Sequence, residues 1–149
     1  MPPLSFAHRL PTLLLGVLLL TAGSAAAASL EATDARLRLL PGDLPGAGYF
    51  TLNNTGDTPV TLTGAASEAF DKVMLHQSIE EDGMANMHAV DAVEVAPEST
   101  FTFAPKGHHL MLMQRSADLS VGDSVTVELE FQQRDPLKVT FDVVSPAER

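Results

Sequence analysis

The 149 residues contain no cysteine. That absence removes disulfides, cysteine nucleophiles, zinc-thiolate sites and redox pairs together. A blue-copper electron-transfer centre goes with them, since it needs a Cys thiolate beside two His. Positive charge is also scarce: 9 Lys and Arg stand against 19 Asp and Glu, a formal net charge of −10. The basic residues are scattered singly, so the chain offers no patch for a phosphate backbone or an anionic lipid surface, which argues against nucleic acid as a partner. Helical periodicity is nowhere sustained, and there is no internal repeat.

Long apolar runs are lacking too. The only extended one, Leu13 to Leu20, is preceded by Pro11 and falls short of the roughly 20 residues that a membrane-spanning helix needs. It follows Arg9 and ends in small residues, Gly23 to Ser29, which is the order of a secretory signal peptide. The expectation is cleavage near Ala28, leaving residues 29–149 as one domain in the periplasm. With no Cys at the junction there is no thiol to carry a lipid, so a soluble protein with no stable membrane insertion is expected.

What the chain does have, from Ser29 onward, is short runs of alternating or β-branched residues divided by Gly, Pro, Asn and Asp. Strands are predicted at Leu30 to Leu39, Gly48 to Asn54, Val60 to Gly64, Val73 to Ile79, Ala85 to Val90, Thr100 to Phe103, His109 to Arg115, Ser124 to Phe131 and Leu137 to Val144. Ala65 to Asp71 reads as a loop or one helical turn. About nine short strands at this spacing predict an all-β fold, an antiparallel β-sandwich.

Outside the leader, every His (His76, His88, His108, His109) and every Met (Met74, Met84, Met87, Met111, Met113) falls between Met74 and Met113. Any one of them is explained by core filling or a strand end. Their clustering is not. Imidazole and thioether are neutral donors suited to a soft ion, and thioether sulfur favours Cu(I) over hard cations. Thioethers do not titrate, and they form no disulfides in an oxidising compartment.

Residues two apart on a strand share a face, so His109 and Met111 point one way while Leu110 and Leu112 face the core. Glu80 to Gly83 reads as a hairpin tip. With Glu81-Asp82 as the central pair His76 lies opposite Met87, and with Asp82-Gly83 Met87 moves to a diagonal. Both registers keep His76 and Met87 on one face, whereas an odd-numbered loop or a bulge brings His88 across instead. The acidic tip residues Glu80, Glu81 and Asp82 read as a solvated turn.

The spacing of His76, Met87 and His109-x-Met111 resembles the signature of the periplasmic copper chaperones called PCu(A)C. The resemblance runs through nearly the whole mature chain, in TDARLRLLP, AGYFTLNNTGD, the VMLH run, DGMANMHAV and GHHLMLM. It implies a cupredoxin-like Greek-key sandwich, with Cu(I) held by His76, Met87, His109 and Met111 and no catalytic step. It also implies delivery toward the binuclear copper centre of cytochrome c oxidase, with a Sco-type thiol protein as a possible second partner. Many members carry Met directly after the first His, where this chain has Gln77. Some relatives add a His- and Met-rich C-terminal tail, and VVSPAER has none. The competing readings are a copper buffer for tolerance, a secreted metalloenzyme, and a structural sandwich without metal. The metalloenzyme is disfavoured because the carboxylates are dispersed along turns and no general base stands beside the His/Met set.

Overall fold

The computed structural model describes residues 29–148; the expected signal peptide, residues 1–28, lies outside them. The strands are β1 (Leu30–Arg38), β2 (Gly46–Asn54), β3 (Val60–Ala66), β4 (Phe70–Glu81), β5 (Met84–Ala89), β6 (Val93–Val95), β7 (Ser99–Phe103), β8 (His108–Arg115), β9 (Ser124–Phe131) and β10 (Arg134–Val144). They form one 10-stranded sheet in the order β5-β4-β8-β2-β1-β10-β9-β3-β6, with β7 pairing β2 off that path. Among the described residues there is no helix.

The all-β expectation holds, and the structure refines it in three places. First, β6 was not predicted: Val93 and Val95 are buried, but three alternating residues between Asp91 and Pro97 are too short a run to read as a strand. Second, Ala65 to Asp71 holds no helical turn. Phe70 N–H donates to Ser67 O, and the Ser67 hydroxyl accepts from Ala69 N–H and donates to Thr126 O at 2.8 Å, so a tight side-chain-supported turn takes β3 straight into β4. Third, the sheet is not wholly antiparallel. The first and last strands lie side by side in parallel, with Leu37 opposite Val143. Strands so far apart in the chain need no tight turn between them, which frees the pair from antiparallel geometry.

Alternation along the strands builds the core. Leu37, Phe50, Leu52, Leu62, Leu110, Leu112, Val127, Leu129 and Phe141 are fully or almost fully buried in one cluster. Phe50 stacks on Phe103 with centroids 4.3 Å apart and meets Phe141 edge-on at 5.7 Å. Asn54 is a buried polar residue, and its Nδ2 donates to the carbonyls of Thr58, Val95 and Ala96, tying β2 to the β6 region. Gly48 lets β8 lie close on β2: a Cβ there would meet Leu110 Cβ at 3.2 Å and Phe141 Cε1 at 3.3 Å. β8 is thereby seated with Leu110 and Leu112 inward, which turns His109 and Met111 to the opposite face.

Candidate metal centre

The site is built on the antiparallel pair β4 and β8. Their register places His76 opposite His109 and Met74 opposite Met111, while Leu75 faces Leu110 in the core layer. Directly opposed side chains have Cβ atoms about 5 Å apart, so two imidazoles and two thioethers project from adjacent rows of one face. The His76 and His109 ring centroids lie 5.9 Å apart.

Met87 arrives from β5. Glu81 pairs Met84 across a two-residue turn of Asp82 and Gly83, with φ of 53° and 77°. Positive φ at both central residues is the type I′ hairpin turn that fits strand twist. Of the two even registers considered, this is the one with Met87 on a diagonal. Met87 is opposite Ser78, two positions from Ala89 opposite His76, and so shares the His76 face. It is 60% exposed, against 5% for His109.

His88 pairs Gln77 and is turned to the other face, so the alternative that put it across from His76 falls away. His108 also pairs Gln77, and its ring packs edge-on against Phe101 and Phe103 at 5.1 and 6.2 Å. Met84 lies opposite Glu81 on the face away from Met87, and Met113 lies opposite Lys72, one row beyond Met111.

Local chemistry prepares both imidazoles for a soft ion. His109 Nδ1 is 3.2 Å from the carbonyl of Gly107. A carbonyl only accepts, so Nδ1 carries the hydrogen and Nε2 of the neutral ring keeps its lone pair for a metal. His76 Nδ1 is buried and finds no hydrogen-bond partner among the described residues. A buried, unpaired ring nitrogen is costly in a site meant to stay as it is, and metal coordination satisfies it. Burial first, and the neighbouring His109 second, hold the His76 imidazole below its ordinary value, which favours the neutral ligand form.

Tyr49 was not singled out from the sequence. Its ring lies 6.4 Å from that of His109, and the Arg38 guanidinium sits 5.2 Å from the Tyr49 centroid, so β1 and β2 wall the site on the side away from the hairpin. The signal was present in the run AGYFTLNN, where Tyr49 alternates with buried Phe50, but the strand that Tyr49 adjoins is set only by the sheet order. Among the described residues no three His, Asp or Glu side chains gather around a common point. The neutral donors on this face, two imidazoles beside thioethers, are of the kind that suits a soft ion such as Cu(I) better than a hard cation.

Comparison with known proteins finds a matching family and proteins of similar sequence and fold. The family described as "Putative lipoprotein LpqE-like" matches residues 30–143. A protein of Leifsonia xyli subsp. xyli, "Putative lipoprotein Lxx21020", is 33% identical over 98 residues, covering 65% of this chain and 59% of that protein, so the match spans less than two-thirds of that relative's length. A copper-bound PCuAC domain from PmoF2 superposes with a TM-score of 0.68 at 26% identity, covering 81% of this chain and 97% of that one. The solution structure of Cu(I)-loaded DR1885 from Deinococcus radiodurans gives a TM-score of 0.64 at 30% identity, covering 85% of each chain.

Proposed function

This chain belongs to the LpqE-like family, and from that membership and its His/Met face we propose that it is a copper-binding protein of the chaperone type, which carries Cu(I) as cargo and catalyses no reaction. The single observation that carries the proposal is the cross-strand pair His76 and His109, one with an unpaired buried Nδ1 and the other with Nδ1 committed to Gly107 O, set beside Met111. The copper-bound and Cu(I)-bound states of the structural neighbours support the choice of ion. The proposed ligands are His76, Met87, His109 and Met111.

The site sits at the surface, with Met87 exposed on an edge hairpin. A partner's donor can reach the ion there without unfolding the sheet, and a d10 ion accepts changing neutral N and S donors at little geometric cost. The proposed working compartment is the periplasm, reached by the signal peptide at residues 1–28, and the family's description as lipoproteins is in keeping with export. The proposed destination is the binuclear copper centre of cytochrome c oxidase, with a Sco-type thiol protein as a second partner. Deleting the gene and measuring oxidase assembly tests delivery: assembly should fail at limiting copper and recover at excess. Intact assembly at limiting copper with loss of copper tolerance would identify a buffer instead.

A further inference from the structure

The register of β4 and β8 gives the face a donor beyond the four proposed ligands. We propose that Met74 is a fifth soft donor of the site, one that holds Cu(I) together with His76, His109 and Met111 when Met87 is withdrawn. This rests on the Cu(I) reading above and extends it to the exchange step.

Met74-x-His76 on β4 runs antiparallel to His109-x-Met111 on β8, and each residue of one faces its like in the other. The four side chains therefore stand at the corners of one small quadrilateral. Its sides are about 5 Å across the strands and about 7 Å along them, from a rise of roughly 3.4 Å per residue. Met87 stands outside it. It comes from the next strand out and from the row on the far side of the His pair, opposite Ser78.

The two thioethers also differ in how firmly they are held. Met74 is half-buried and lies in a strand paired with β8 over the whole run from Lys72 to Gln77. β5 ends at Ala89 opposite His76, and the backbone contact with β4 closes one step on with Val90 N–H donating to Leu75 O at 2.9 Å, so no β5 residue lies in the Met74 row. Met87 is 60% exposed on that edge strand. A thioether carries no charge and loses no proton on binding, so exchange of one Met sulfur for another leaves the charge of the site unchanged. Met87 is thus the ligand that a partner displaces, and Met74 is the sulfur that keeps the ion on the protein while that happens.

The test uses the full chain, Cu(I) under anaerobic conditions, a competing chelator, X-ray absorption at copper and the ε-methyl NMR signals of the methionines. Met87→Leu should keep one Cu(I) per chain with about two sulfur neighbours, lose affinity by about tenfold or less, and shift the Met74 methyl signal on loading. Met74→Leu combined with Met87→Leu should lose one of those sulfurs and bind at least about a hundredfold more weakly than the parent. Met113→Leu combined with Met87→Leu should match Met87→Leu alone. The Met74 assignment is overturned if the Met74/Met87 double variant binds as tightly as Met87→Leu, or if the Met113 combination is the one that fails. A parent chain that takes up no Cu(I) overturns the underlying copper reading, an outcome separable from the others because it precedes any substitution. Met→Leu swaps keep volume and apolarity, so apo melting curves of all variants should overlay.

Discussion

At the scale of single residues, alternation on β8 separates the proposed ligands from the packing residues within one run of chain. Met111 faces the site and is half-buried, while Leu112 is fully buried in the core. Met111→Leu should lower Cu(I) affinity and leave apo stability nearly unchanged, since swaps of similar volume typically cost under about 1.5 kcal/mol. Leu112→Ala should do the reverse, costing roughly 2–5 kcal/mol through lost burial and a cavity. His88→Ala should leave Cu(I) binding intact, because its side chain is on the other face. Chelator competition beside apo thermal melts reads all three. A second prediction follows from the imidazoles themselves. Burial first and His109 second lower both His76 and His108 from their ordinary value of 6.5. The unfolded chain then binds more protons than the folded one just below that value, so their contribution to apo stability is present above it and is lost as pH falls. The urea midpoint of the metal-free protein should drop from pH 8 to pH 5, and the drop should flatten in a variant with His76→Gln and His108→Gln.

At the scale of elements, the β4–β5 hairpin sets which donor reaches the site. Its turn needs positive φ at Asp82 and Gly83, and the sequence carries Asp-Gly, the pair that adopts it most readily. Gly83→Val places a β-branched side chain at φ 77°, a conformation that costs L-residues roughly 1–2 kcal/mol. Amide exchange should rise in β5 and at the tip of β4 while the β4–β8 bonds stay protected, and Cu(I) affinity should fall with the loss of Met87. The same turn explains how far the site was legible. That one of Met87 and His88 shares the His76 face followed from parity alone. That His88 does not reach the site required the even, two-residue loop, because one extra residue flips every side chain of the returning strand. The place of Met74 on this face was legible only in part: its two-residue offset from His76 marks a shared face, but its row partner Met111 comes from a strand more than thirty positions away.

At the scale of the whole molecule, the sheet order brings together what the chain keeps apart. β4 and β8 are neighbours only because β5, β6 and β7 are routed elsewhere, to an edge, to β3 and to β2. The missing cysteine is a whole-chain property and yields a whole-chain prediction. With no thiolate to donate charge to copper, any Cu(II) form should lack the intense blue absorption of electron-transfer cupredoxins, which a visible spectrum of the oxidised, loaded protein checks.

Composition and spacing by themselves determined the β class, most strand positions and the soft character of the donors, because those follow from side-chain chemistry and a period of two. They missed β6, too short to stand out by periodicity, and they read a loop or one helical turn where Ser67 ties a tight bend. The parallel closure of β1 on β10, the pairing of Met74 with Met111, the Gly107 carbonyl that fixes the His109 ring and the burial that leaves His76 Nδ1 unpaired were decided by tertiary structure. Each of them depends on which distant strands meet and in what register, and local sequence preferences do not encode that.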